Sequence, residues 1–274
     1  MNKTIAFIGA GNMGGAIIRA ACRAIDPGQV VIYDTMADKA AALAEETGCA
    51  VAASGGEAAG QAHYVMLCVK PQYYIGVLRD LLPALKEAAG RGEKQTLVSI
   101  VTGGKLATLS GVLAEAELEL PIVRIMPNTP AAIGKGVLLM APADSVAPED
   151  FEQLKGVLSQ CGLLERVDEH MLDMATPVSG CTPAFVYLFI EALADGAVQV
   201  GVPRDKAMMY AAQTVLGSAA MVLESGQHPG ALKDAVCSPG GSTIAGVEKL
   251  EECGFRYAAA QAIVAAYRRN CELG

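Results

Sequence analysis

The sequence predicts an α/β N-terminal domain on a doubly wound, largely parallel sheet, followed by an all-α C-terminal domain. Three observations predict it. Over the first 165 or so residues, short apolar runs alternate with amphipathic stretches, and strands separated by helices need crossover connections that make a sheet parallel. The runs are almost continuously apolar, as in Tyr-Val-Met-Leu-Cys-Val at 64–69, which fits strands covered on both faces. After Val167 the strand pattern stops and only helical patterning continues.

Taken in order, strands are expected at 4–8, 30–33, 64–69, 96–100, 122–126, 137–140 and 163–167. Amphipathic helices are expected between them at 37–47, 73–88 and 148–160. The second half reads as helices at 183–200, 204–225, 243–253 and 254–270, punctuated by Pro203, Pro229 and the Ser238-Pro239-Gly240-Gly241 turn. A boundary near Arg166 divides the chain into a dinucleotide-binding domain, 1–165, and a helical domain, 166–274.

The helix at 183–200 confines its polar residues to one stripe, Glu191, Asp195 and Gln199. Phe185, Val186, Leu188, Phe189, Ile190, Leu193 and Val198 cover the rest, and a helix apolar on most sides is buried on most sides. The small helical domain offers too little material to enclose it, so part of this surface is expected to close against a second copy in a symmetric homo-oligomer.

Composition narrows the function. Hydrophobic residues make up 52% of the 274, enough for a sizeable core. A net charge of −8 argues against nucleic-acid or anionic-membrane binding, which concentrates Lys and Arg. Lacking a run of about 18 uncharged apolar residues, the chain is expected to have no spanning helix. Its start enters a strand pattern at once, so a cytoplasmic protein is expected. The eight cysteines form no C-x-x-C pair and the histidines number three, so no metal is expected and the thiols read as reduced, buried apolar groups.

Gly9-Ala10-Gly11-Asn12-Met13-Gly14 follows the first strand and opens a helix. In this spacing the first glycine permits a tight turn, the second lets backbone approach a pyrophosphate, and the third lets helix pack on strand. Free N–H groups at the helix start then face the phosphates. The second strand ends in Asp34, twenty residues past Gly14. A carboxylate there can accept both ribose hydroxyls of NADH and repel the 2′-phosphate of NADPH; Thr35 can instead donate to that phosphate. NADH is therefore favoured. Lys70-Pro71-Gln72 and Met126-Pro127-Asn128-Thr129-Pro130 follow later strands, on the side where such sheets bind ligands.

Cys237-Ser238-Pro239-Gly240-Gly241-Ser242-Thr243 precedes a further helix. Glycines and hydroxyls at a helix start make a nest for a small carboxylate, or simply a capped turn. His228, in His228-Pro229-Gly230, reads as a loop contact rather than a general acid.

Together these motifs resemble the pyrroline-5-carboxylate reductase family over essentially the whole chain. Glu191-Ala192-Leu193-Ala194-Asp195-Gly196, Gln227-His228-Pro229-Gly230 and above all Ser238-Pro239-Gly240-Gly241-Ser242-Thr243-Ile244 carry the likeness. The resemblance implies an N-terminal Rossmann-type domain, an all-α dimerisation domain, an active site between them, and homodimers often assembled as a ring of dimers. It implies hydride transfer from NADH or NADPH to 1-pyrroline-5-carboxylate, giving L-proline. Implied cofactor contacts are Ile8, Gly9, Gly11, Asn12, Met13, Gly14 and Val69, joining Asp34, Thr35, Lys70, Pro71 and Asn128. Implied substrate contacts are Ser238, Gly240, Gly241, Ser242 and Thr243, with the Thr243 hydroxyl reaching the ring nitrogen, and Glu169 near the pocket. The chain departs from the family at Cys181 and Thr182, where members carry Ser and Gly, and at Asp34. Two rivals stand beside this reading. A β-hydroxyacid-dehydrogenase-like reductase would need a Lys or acid on the first long C-terminal helix, where Glu191 and Asp195 lie. A non-catalytic nicotinamide sensor would have no use for the 238–243 loop.

Overall fold

Strand β1 (Lys3–Ile8) sends Ile5 and Phe7 to one face of its sheet and Ala6 and Ile8 to the other, and both sets are buried in separate cores. The computed structural model, which describes residues 3–273, repeats this alternation in the strand Ala62–Leu67. There Tyr64 and Met66 join the first core and Val65 and Leu67 the second. Period-two alternation between two buried faces is why these strands read as unbroken apolar runs.

After β1 come α1 (Asn12–Ala24), β2 (Val30–Tyr33), α2 (Ala37–Thr47), β3 (Ala50–Val51), α3 (Gly55–Gly60), β4 (Ala62–Leu67) and α4 (Tyr74–Gly90). They continue with β5 (Thr96–Ser99), α5 (Leu106–Ala114), β6 (Ile122–Met126), β7 (Gly136–Pro142), α6 (Pro148–Leu158), β8 (Gly162–Arg166) and α7 (Glu169–Thr176). The sheet order is β3-β2-β1-β4-β5-β6-β7-β8, and every pair is parallel except β6 with β7. Chain direction across the sheet reverses between β1 and β4, which opens a crevice at their carboxyl ends.

Several elements differ from expectation. Strand β4 stops at Leu67, freeing Cys68 and Val69 for the loop above it. The short α3, Gly-Gly-Glu-Ala-Ala-Gly, has poor intrinsic helicity. It forms because Ser54 Oγ accepts the Glu57 N–H at 3.0 Å, Glu57 reaches back to the Ala53 N–H at 2.7 Å, and Ala58 and Ala59 are buried. The chain divides into two compact units at Gly180, and the first unit also takes in the chain from Tyr267 onward. The physical reason is α7, whose Leu172 is buried with Met126, Leu139 and Ala141 of β6 and β7.

The second unit, Cys181–Ala266, holds α8 (Thr182–Gln199), α9 (Arg204–Ser225), α10 (Pro229–Ala235), α11 (Ser242–Glu252) and the first part of α12 (Phe255–Leu273). Its buried hydrophobic residues are Ala194, Ala207 and Ala211, while Leu188 is 67% exposed, Tyr257 72% and Leu223 84%. A unit that leaves such side chains in water does not hold itself together by apolar burial alone. Helical residues Glu169–Gln199 are, by length and composition, long and apolar enough to cross a membrane, at a mean hydropathy of 1.4.

Candidate active site

The turn after β1 is built for backbone rather than side chains. Gly9 has φ +108°, and a Cβ there would lie 2.6 Å from the Cys68 carbonyl oxygen. A Cβ on Gly14 would come 2.5 Å from the Gly9 carbonyl oxygen, so α1 packs against the turn only with glycine at that position. Gly11, by contrast, has nothing within 4 Å of its would-be Cβ. It is also the N-cap of α1, with no side chain capping it. The first bond within the helix runs from the Gly15 N–H to the Gly11 carbonyl at 2.7 Å, leaving the amides of Asn12, Met13 and Gly14 as donors for a ligand.

These amides face a cleft of about 500 Å³ lined by Gly11, Asn12, Met13, Lys39, Cys68, Val69, Lys70, Pro71, Ile100, Thr102, Met126 and Pro127, among others. An open glycine, uncapped amides and the cleft they face together suit a dinucleotide diphosphate. Burial pushes the Cys68 thiol far above its ordinary range, so it borders the cleft as a neutral group. Ile8 lies under the turn, 2% exposed within the second core, and supports the cleft without lining it.

Asp34 follows β2, and both of its oxygens are engaged. Oδ2 accepts the Ala10 N–H at 2.7 Å and Oδ1 accepts the Met36 N–H at 2.8 Å. The carboxylate thus braces the glycine turn against the start of α2, with one lone pair on each oxygen left for a ribose. Thr35 beside it is exposed.

Two residues that the sequence reading gave to ligands have other partners here. Asn128 is 7% exposed; its Nδ2 donates to the Ser179 carbonyl at 2.8 Å and its Oδ1 accepts the Val137 N–H at 2.9 Å. It fixes the loop after β6 from beneath and does not line the cleft. Glu169 Oε1 accepts from Arg124 at 2.6 Å and from the Leu106 N–H at 2.7 Å. Arg124, buried on β6, also donates to Asp173 at 3.1 Å. Sequence reasoning missed Arg124, although a charged residue inside the apolar strand Ile-Val-Arg-Ile-Met was the signal available.

In the second unit, Gly240 adopts φ +66°, and a Cβ on Gly241 would fall 2.3 Å from Ser238 Oγ. The Gly241 N–H donates to the Ser238 carbonyl at 3.0 Å, closing a tight turn ahead of α11. Gly241 caps α11 with no side-chain bond, so the amides of Ser242 and Thr243 remain donors beside the hydroxyls of Ser238, Ser242 and Thr243. Ser238 and Thr243 are exposed. His228 Nδ1 accepts the Gly230 N–H at 3.0 Å and caps α10.

Fold and cleft define a nicotinamide-dependent oxidoreductase, and a family model described as "NADP oxidoreductase coenzyme F420-dependent" matches residues 4–103. A second, described as "Pyrroline-5-carboxylate reductase dimerisation", matches residues 169–273, the stretch containing the exposed apolar helices. The pyrroline-5-carboxylate reductase of Escherichia coli K12 is 42% identical over 275 residues, covering 100% of this chain and 99% of that one. Its counterpart in Pisum sativum is 39% identical over 272 residues, covering 98% and 96%. A crystal structure of the Plasmodium falciparum pyrroline carboxylate reductase with NADP bound superimposes with a TM-score of 0.87 at 31% identity, covering 100% of this chain and 98% of that one. The chain belongs to the pyrroline-5-carboxylate reductase family, and residues 169–273 form its dimerisation domain.

Proposed function

We propose that the chain reduces 1-pyrroline-5-carboxylate to L-proline. The observation that carries this reading is the 238–243 loop, where an uncapped helix start stands beside three hydroxyls that can donate to a small carboxylate, in a chain that also holds a cleft suited to a dinucleotide.

When bound, the reduced nicotinamide supplies the hydride that ends on C5 of the cyclic imine. The amides of Asn12, Met13 and Gly14 hold the diphosphate, and Lys70 adds a cation on the same cleft. Asp34 takes the ribose hydroxyls, which favours NADH over NADPH. The amides of Ser242 and Thr243 hold the substrate carboxylate with help from the α11 dipole. The Thr243 hydroxyl oxygen accepts from the protonated ring N–H and aligns the C=N bond. Once the hydride reaches C5, the C=N π pair settles on nitrogen and the positive charge is discharged. No strong general acid is required, in keeping with His228 serving as a helix cap. Proximity and orientation do the rest. Glu169 and Asn128 support the walls and need not touch either guest.

The working unit is a homodimer, with rings of dimers as the larger assembly, and we place it in the cytoplasm. Support for the dimer comes from the exposed apolar faces of α8 and α9. Purified protein mixed with NADH or NADPH and a panel of cyclic imines tests the function. Oxidation dependent on pyrroline-5-carboxylate is expected, with less on its six-membered homologue. Oxidation dependent only on β-ketoacids or open-chain ketones overturns it.

A further inference from the structure

Two concavities flank the Gly11–Asn12 step, and one charged side chain lines both. The first is the cleft of about 500 Å³. The second, about 250 Å³, is bounded by Ala10, Gly15, Arg19, Leu43 and Glu46 among others. Lys39, in the first turn of α2, belongs to each.

The charges around this step are unevenly matched. Arg19 gives two N–H groups to the Glu46 carboxylate, both at 2.6 Å, so that pair is internally neutral. Asp34 is held in place by its two backbone donors and cannot swing away from whatever occupies the adenosine end. Asp38 precedes Lys39 directly, and neighbours in a helix do not face one another. Among the described residues Lys39 forms no ion pair. Lys70, another unpaired cation lining the cleft, follows β4, whereas Lys39 follows β2. In a doubly wound sheet the adenosine ribose is read by residues following the second strand. A fixed anion, Asp34, and a cation without an ion pair among the described residues, Lys39, thus both follow β2, five positions apart, where the adenosine ribose is read.

We infer that Lys39 is the residue that admits a 2′-phosphate, letting the chain bind NADPH despite Asp34, while NADH binds without its help. This rests on the dinucleotide reading of the cleft. Asp34 alone repels a dianionic phosphate; a lysine ammonium on a flexible stem offsets that repulsion without touching a bare ribose hydroxyl.

Binding isotherms of the full-length protein, followed by nicotinamide fluorescence with no imine present, test the inference. Lys39→Gln is expected to weaken NADPH about tenfold and to shift NADH by less than about twofold. Lys39→Arg should retain NADPH. Raising the salt concentration should weaken NADPH more than NADH in the wild type, and remove that difference in Lys39→Gln. Equal weakening of both dinucleotides by Lys39→Gln would place Lys39 on the shared diphosphate and overturn the inference while leaving the cleft reading intact. No change with either dinucleotide would overturn it too. A wild-type protein that binds neither would sink the cleft reading along with it.

Discussion

Arg124 and Glu169 meet at 2.6 Å across 45 residues of sequence, with the guanidinium side chain 2% exposed and the carboxylate side chain 31% exposed. The same Glu169 oxygen holds the first amide of α5, just after the loop that places Thr102 in the cleft wall. One carboxylate therefore ties β6, α5 and α7 together. Glu169→Gln is predicted to lower unfolding stability by about 2 kcal/mol, because it leaves a buried cation short of its main partner. Asp173, with 41% of its side chain exposed, should matter less, and Asp173→Asn should cost under half as much. Urea unfolding measures both; an unshifted midpoint for Glu169→Gln would show that the pair is ornamental.

Gly11 and Gly14 should separate binding from folding. Gly14→Ala sets a methyl 2.5 Å from the Gly9 carbonyl and 3.0 Å from Cys68 Cβ, so it is predicted to destabilise the fold by about 2 kcal/mol. Gly11→Ala meets no protein atom. It should melt like the wild type yet bind dinucleotide about tenfold more weakly, since the methyl occupies the diphosphate's approach. Normal binding by a stable Gly11→Ala would move the diphosphate elsewhere.

Thr243→Ala is predicted to reduce kcat/KM for pyrroline-5-carboxylate at least about tenfold, corresponding to about 1.4 kcal/mol of transition-state binding. Thr243→Ser should recover most of it. Steady-state kinetics decide the matter, and an unchanged alanine variant removes Thr243 from the chemistry.

Cys22 on α1 and Cys49 after α2 share hydrogen bonding with each other and with Thr47, whose hydroxyl lies 3.2 Å from Cys49 Sγ. Donation from Cys22 lowers the Cys49 thiol to about 6, while Cys22 is held well above its ordinary range by the same bond. Between about pH 6 and the ordinary thiol range the folded pair binds one proton and the unfolded pair two, so this pair's contribution to stability rises with pH. Above that range the folded pair retains a proton the unfolded chain has lost, and the contribution falls. Unfolding measured against pH should show this rise in the wild type and lose it in Cys49→Ser. Parallel profiles would contradict the shared proton.

Local chemistry made much of the fold legible. The glycine turn and the strand before it were readable because every constraint lies within a dozen residues, and α2 and α9 begin and end where their patterning does. The two-residue β3 is too short to carry a period, and α3 depends on a cap and buried alanines rather than propensity. Helix α7 was hidden by Pro177 directly behind it, yet the chain continues through a wide turn, Pro177–Cys181, into α8. The tight turn at 238–241 and the helix start behind it were legible because the glycines and the start are contiguous. Asn128 and Glu169 were not, since their partners lie up to 63 residues away. Asp34 was visible as an acid after β2, but its duty to the Ala10 and Met36 amides was not.

Hydride is expected to pass directly from the dinucleotide to the ring carbon of a pyrroline acid. Reduced nicotinamide carrying deuterium at both C4 positions, incubated with enzyme and pyrroline-5-carboxylate, tests it by mass spectrometry of the product. Proline bearing a single deuterium at C5, formed in step with dinucleotide oxidation, is the expected product. Unlabelled proline, or dinucleotide oxidised with no proline formed, would contradict it.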